Sequence, residues 1–258
     1  MRFSPDAYAK SIVASVQEYS VLCGRAIANI FSKPRYIADT FTQMDSIGAG
    51  SLPIVVLTGF FTGCVLALQA ATTLKEFGAV NMTGRLVALS MVKELGPVLT
   101  GLMVSGRNAS GMASELGSMK VSEQIDAMRA LGTDPIRKLV TPRLVATVVM
   151  LFFLTIISDA CGTAGGGLVA VVLLKLNGTA YFHTAYETLL AGDVVEGLVK
   201  PIFSGFLIAT IGCYYGLKTT GGTRGVGRAT TQAVVASAVL IIVVDFLVTQ
   251  LMIGIFGR

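Results

Sequence analysis

The sequence has no tryptophan, one histidine and few charges: 14% of its 258 residues are Asp, Glu, Lys or Arg. Soluble domains carry about 25%. That deficit excludes an ordinary water-facing globule. With 53% hydrophobic residues and a mean hydropathy of +0.73, most of the surface is expected to face lipid or other helices. His183, the one histidine, leaves little room for a histidine-based metal site or catalytic dyad. The four cysteines, Cys23, Cys64, Cys161 and Cys213, are scattered without a CxxC pair. They read as small packing residues. There is no GxxxxGK[ST] and no Gly-Lys dipeptide, so no P-loop for ATP; HExxH and GxSxG are absent as well. Gly222–Gly227 (GTRGVG) is glycine-rich but lies in a basic loop with no strand before it, unlike a dinucleotide fingerprint. The net charge of +5 does not suggest nucleic acid. No cleavable signal peptide is expected, because Asp6, Lys10, Glu18 and Arg25 interrupt the first thirty residues.

What is present is a series of long, continuous apolar runs, the pattern of membrane-spanning helices rather than of barrel strands. Five spans are predicted, at about 47–74, 86–112, 144–174, 194–217 and 230–256. The third would be roughly 46 Å long as one helix, against a hydrocarbon core of about 30 Å. It must tilt, kink or project, and Gly165-Gly166-Gly167 is a plausible weak point. Before the spans, Tyr8, Ile12, Val16, Tyr19, Cys23, Ile27 and Ile30 share one helical face. This suits a helix in the membrane interface or one packed on the protein's own core. Lys33-Pro34-Arg35 then ends it. The organisation is therefore an N-terminal segment, 1–46, and a five-helix membrane-spanning body, 47–258.

Five spans place the termini on opposite sides. The N-terminal segment holds five basic residues, the loop Arg107–Arg143 six, and the loop after the fourth span three, fourteen of the twenty in all. The positive-inside rule makes that side cytoplasmic and sends the C-terminus outside.

The longest polar interruption is Glu115–Pro142. Within it Val121, Ile125 and Met128 share a face, while Glu123, Asp126 and Arg129 are solvated or available to a partner. Gly132 is a natural helix stop and Asp134-Pro135 a turn. Such a short amphipathic helix can enter a partner's groove, or can be a connector on the membrane surface. Charges inside the apolar stretches are expensive to bury and mark a bundle interior or cavity. Lys93-Glu94, followed by Gly96-Pro97, is the first case, unless the pair snorkels at the outer interface. Asp245 and Asp159 are two more. Pro97, Gly101, Ser105 and Ala109 recur every four residues and form a close-packing face, within the chain or between two copies.

The run from Leu86 to Arg143 contains ELGP, SELGSMKVSEQIDAM and GTDPIRKLVTPR, and the end from Gly225 to Thr249 reads GVGRATTQAVVASAVLIIVVDFLVT. Together they strongly resemble the MlaE (YrbE) permease family, over nearly the whole chain. The resemblance implies an all-α integral membrane fold: an N-terminal interfacial amphipathic helix, five transmembrane helices, and a cytoplasmic coupling helix within 115–142. It implies a homodimer in a bacterial inner membrane with a cytoplasmic N-terminus and periplasmic C-terminus. Expected partners are a cytoplasmic ABC ATPase, which would bind the ATP and Mg, a STAS-domain protein on that ATPase, and a periplasmic hexameric MCE lipid-binding protein. No cofactor is expected in this chain, which would be a non-catalytic subunit. The implied activity is movement of glycerophospholipids between inner and outer membranes, supporting outer-membrane lipid asymmetry.

By the same resemblance, Lys93 and Glu94 would lie near a lipid cavity between two copies, with Leu66, Gln69 and Phe77 helping to line it. The helix around Glu123, Ile125, Asp126, Met128 and Arg129 would couple to the ATPase. Two other classes remain open. The intramembrane acids also suit an autonomous ion-coupled transporter, although no internal repeat is visible and five spans do not halve. A structural anchor for a periplasmic lipid-binding partner is the third.

Overall fold

The structure, a computed structural model, describes residues 5–256, apart from the side chains of 5–9, 11, 12, 255 and 256. It is built of helices, with no strand among the described residues. α1 (Pro5–Ile30) precedes the bundle. Five helices are long and apolar enough to cross a membrane: α2 (Ile37–Glu76), α3 (Val80–Val121), α5 (Ile136–Val172), α7 (Ala191–Leu217) and α8, whose apolar part is Gly222–Gly254 of Gly222–Phe256. Two short helices lie between them, α4 (Gln124–Ala130) and α6 (Gly178–Thr188).

The predicted spans are all helical, but several begin earlier than the apolar runs. α2 starts ten residues before Ile47 and carries Asp39 and Asp45 in its first turns. α8 starts at Gly222, so the GTRGVG stretch opens a helix instead of forming a loop. The chain turns just before it, where Gly221 and Gly222 have φ of +87° and +65°, values that glycine adopts without a Cβ penalty. Hydropathy marks only where lipid contact begins. Helix hydrogen bonding continues into water past that point.

Small residues bring α2 and α5 together, the most extensive helix pair in the molecule. Gly48, Ser51, Val55, Gly59, Gly63, Ala67 and Ala71 form a buried stripe on α2. A Cβ at Gly63 would run into the Gly162 carbonyl, and one at Gly59 would lie 2.8 Å from the Ser158 carbonyl. In lipid there is no hydrophobic gain between apolar helices, so contact of this closeness is what holds them. The same reasoning corrects the expectation for Gly165-Gly166-Gly167. α5 runs unbroken through all three, and they are buried against Phe60, Tyr181 and Phe182. They are a seat for neighbours, not a hinge.

Pro97, Gly101, Ser105 and Ala109 are likewise buried inside one chain. Gly101 faces Ser204 and Ile241, Ser105 shares a 2.9 Å hydrogen bond with Ser237, and Ala109 abuts Gly212. α3 is therefore the central helix, packed by α7 and α8.

α1 docks on this body. Leu22 and Ala26 are buried with Ile47, Leu116, Leu144 and Ala209. Tyr19 shares a 2.7 Å hydrogen bond with Thr210 and stacks edge-on against Tyr214. Lys218 Nζ donates to Glu18 Oε2 at 2.6 Å, which raises the lysine's pKa above its ordinary value. Of the predicted face, Tyr19, Cys23 and Ile30 are half-buried, whereas Val16 and Ile27 point away from the bundle, 58% and 45% exposed. Tyr8, Ile12 and Asp6 fall among side chains outside the described residues. The core-packing reading thus describes one stripe of α1, and a second apolar stripe (Val13, Val16, Val21, Ile27) is left uncovered.

Candidate functional site

α3 is not a regular helix. It contains π-helical turns at Met91–Leu95 and Ser105–Ala109, and α5 opens with a third at Ile136–Val140. Such turns are frequent at functional sites. The first holds Lys93 and Glu94. Pro97 lacks the N–H that would meet the Lys93 carbonyl in an α-helical ladder. That carbonyl instead accepts from Lys200 Nζ of α7 at 2.7 Å.

Lys200 is the centre of an ion network. Its side chain is 2% exposed. It donates to Glu94 Oε2 at 2.5 Å and lies 3.4 Å from Asp245 Oδ1 of α8. Thr249 Oγ1, one turn after Asp245, donates to Glu94 Oε1 at 3.3 Å. Lys93, pointing the other way, reaches Asp193 Oδ1 at 3.3 Å and Glu196 Oε2 at 3.0 Å. Three helices thus contribute two lysines and four carboxyls. The surplus of acid is a property of the set: Glu196 Oε1 is buried with no hydrogen-bond partner. Burial grades outward from Lys200 to the Glu94 side chain, which is 41% exposed and forms the accessible rim. Beside the network a cavity of about 210 Å³ is lined by Lys93, Asp193 and Glu196 on one side and Leu190, Met252 and Ile253 on the other.

The structure therefore joins Lys93, Glu94 and Asp245, three of the residues singled out from sequence. Lys93 and Glu94 are held by partners on other helices, not by each other, and neither snorkels free. The structure does not bring Asp159 to them. Asp159 is buried on α5, its Oδ1 pressed toward Gly96 and without a partner, at the wall of a separate cavity of about 330 Å³ with Ala88, Thr163 and Phe182. Leu66 is half-buried against the Ala67–Val87–Met91 cluster, Gln69 is exposed, and Phe77 is 76% exposed just past the end of α2. None of the three hydrogen-bonds to the network among the described residues. Sequence reading missed Asp193, Glu196, Lys200 and Thr249. A signal was present: Glu196 and Lys200 are charges four apart inside an apolar run, and the argument applied to Lys93-Glu94 held equally for them.

At the opposite end of α3, Glu123 adopts a left-handed conformation, φ 58°, that ends one helix and starts α4. Gly132, φ +77°, closes α4, and Asp134 Oδ1 caps the turn by accepting from Ile136 N at 3.0 Å, as the sequence suggested. Lys120 Nζ donates to Asp126 Oδ2 at 2.7 Å, Arg129 Nη1 donates to Asp126 Oδ1 at 3.3 Å, and Lys120 holds the Asp126 carboxyl below the usual carboxylate range. Ile125 is fully buried, so it anchors α4 to its own chain. The face left open carries Glu123, Asp126, Arg129 and, 84% exposed, Leu131; Met128 is half-buried. Arg143, nearly buried, clamps Glu115 at 2.7 Å and ties the end of α3 to the start of α5 behind this helix.

The family described as "Permease MlaE" matches residues 40–251. The chain is 44% identical over 238 residues to a probable ABC transporter permease of Rickettsia typhi, covering 92% of each chain. It is 38% identical over 231 residues to a probable ABC transporter permease of a Synechocystis species, covering 90% of this chain and 88% of that one. It is 34% identical over 213 residues to the intermembrane phospholipid transport system permease protein of Haemophilus influenzae, covering 82% of each.

Proposed function

The chain belongs to the MlaE permease family, and from that membership we propose that it is the membrane-spanning subunit of an ABC-type transporter that moves glycerophospholipids between inner and outer membranes and so maintains outer-membrane lipid asymmetry. The observation that carries the proposal is the buried ion network at one end of an otherwise apolar bundle, next to a cavity walled half by charge and half by Leu190, Met252 and Ile253. Phospholipids have the matching division. A head-group phosphate meets Lys93, a head-group ammonium meets the surplus carboxyls, and acyl chains lie against the apolar wall.

Two copies form the working unit. Supporting this, the outward faces of α2 (Leu57, Phe61, Val65) and α8 (Val239, Ile242, Phe246) leave apolar side chains exposed. A seam there puts Glu94, Leu66, Gln69 and Phe77 along one lipid path. Lys binds phosphate as a point charge and tolerates several head-group geometries. ATP and Mg bind a separate cytoplasmic ATPase, which seats α4 in its groove through Glu123, Asp126, Arg129 and Leu131. Closure of that ATPase moves α4, and the Arg143–Glu115 clamp passes the motion to α3 and α5. A STAS-domain protein on the ATPase and a hexameric MCE protein on the outer side complete the assembly. The basic loops and the N-terminus lie in the cytoplasm, and the C-terminus in the periplasm.

A lipid-photocrosslinking experiment tests the proposal. Photoactivatable residues at positions 66, 69 and 94, in chains assembled with the ATPase, are expected to give phospholipid adducts that decline on ATP addition. Absence of adducts at all three rejects the seam path. One observation favours a second reading: paired intramembrane charges such as Lys200–Asp245 also serve ion-coupled carriers. Proton- or sodium-driven flux through the isolated chain in liposomes would support that class over the ATP-driven one.

A further inference from the structure

We propose that the cleft where α1, α2 and α5 meet binds the head group of an anionic phospholipid, at a place separate from the ion network. The cleft is a cavity of about 250 Å³, lined among others by Ile30, Arg35, Tyr36, Phe41, Arg137 and Val145. Two cationic segments a hundred residues apart in sequence converge on it, Lys33–Arg35 and Arg137–Lys138. They are joined by Arg137 Nη1, which donates to the Lys33 carbonyl at 2.8 Å.

None of these four cations has an ion-pair partner among the described residues. Arg137 Nε is buried without a hydrogen-bond acceptor. A buried guanidinium donor without an acceptor is costly, and an anion in the cleft supplies one. Lys138 Nζ lies over the Tyr36 ring, 5.9 Å from its centroid. The two acids closest in sequence form no ion pair with the cluster, although Asp39 shares a neighbouring cavity with Lys138. Asp134 accepts from Ile136 N, and Asp39 in the first turn of α2 is exposed. A second observation points the same way. Tyr36, at the N-cap of α2 and in the lining of the cleft, makes no side-chain cap bond, so a 40-residue helix starts at the cleft without a capping side chain.

Membrane lipid, not free phosphate, is the occupant that fits. Ile37, Phe41 and Phe31 border the cations and are 57%, 66% and 78% exposed. Inorganic phosphate would satisfy the arginines and leave these side chains uncovered, whereas acyl chains cover them. The bound lipid would bridge the end of α1 to the starts of α2 and α5.

The test uses the full chain, purified in detergent and titrated separately with dioleoyl phosphatidylglycerol, dioleoyl phosphatidylcholine and inorganic phosphate, with retained adducts read by native mass spectrometry. Wild type is expected to retain phosphatidylglycerol in preference to phosphatidylcholine. Arg35→Gln, which removes a side chain with no intrachain bond among the described residues, is expected to weaken retention about fivefold, since each basic side chain at a lipid surface contributes about 1 kcal/mol. Arg35→Gln with Arg137→Lys, which keeps the second charge but loses the Nε donor, is expected to weaken it further while the thermal melt stays cooperative. The same loss on adding Arg35→Gln is expected in a Glu94→Gln background, which separates this cleft from the network. Equal retention of the two lipids, wild-type retention by Arg35→Gln, no further loss when Arg35→Gln is added to Glu94→Gln, or displacement of the lipid by equimolar phosphate would each overturn the assignment.

Discussion

Replacing Lys200 by methionine should destabilise the bundle more than any other single change in the ion network. The lysine side chain is 2% exposed and meets the Lys93 carbonyl, Glu94 and Asp245. Methionine fills similar volume, so the loss is electrostatic, not a cavity. Removing one partner of a buried pair costs about 3–5 kcal/mol, because the remaining charge stays uncompensated. Here the lower end applies. The Asp245 side chain is 16% exposed, but that of Glu94 is 41% exposed and is partly screened by solvent. A cost of about 3 kcal/mol corresponds to a fall in Tm of about 6–12 °C for a chain of this size. The assay is thermal unfolding in detergent followed by far-UV circular dichroism. The triple variant Lys200→Met, Glu94→Gln, Asp245→Asn removes the charges together. It should recover most of the loss, because exchanging a whole buried ion set for neutral groups is often near neutral. The reasoning is refuted if the single variant melts within about 2 °C of wild type, a shift of about 1 kcal/mol or less, or if the triple variant melts no higher than the single one.

Gly63→Ala should destabilise by about 1–3 kcal/mol through overpacking, read in the same melt, because its Cβ meets the Gly162 backbone carbonyl; Gly78→Ala, with open space around it but φ of +66°, should show backbone strain only. Arg129→Glu should change stability by less than about 0.5 kcal/mol, as an exposed substitution, yet lower recovery of the ATPase in pull-downs from assembled complexes. Asp126 has a lowered pKa through Lys120, so its ion pair is present at neutral pH and is lost only as pH falls through that lowered value, below the ordinary carboxylate range. Lys120→Ala should move the Asp126 titration back up, which carboxyl-carbon NMR of a selectively labelled chain detects.

The helical class, the five spans and the polar break near α4 were legible in the sequence because each is a local property. An apolar run of about twenty residues spans lipid wherever it occurs, and Gly132 and Asp134-Pro135 stop and turn a chain by their own backbone preferences. Helix starts were less legible. Gly222 and Ile37 begin helices in polar sequence where hydropathy gives no edge. α6 was missed, although Asn177, which accepts from Thr179 N at 2.9 Å, is a recognisable N-cap.

By itself, the sequence determined that this protein has five helices long and apolar enough to cross a membrane, contains no P-loop motif, and carries charges at Lys93, Glu94, Asp159 and Asp245 that lipid would not tolerate bare. Which of those charges act together was decided only by the tertiary structure. Spacing along one helix says which face a residue occupies, but not which helix lies opposite. The packing of α3 against α7 and α8, set by small residues at Gly101, Ser105 and Gly197, placed Lys200 between Glu94 and Asp245 and left Asp159 alone behind Gly96. The same packing separated α4's buried Ile125 from its exposed Arg129 and Leu131. Counter-charges in a low-dielectric interior must come within a few ångströms to compensate burial, and that proximity is a property of the assembled bundle.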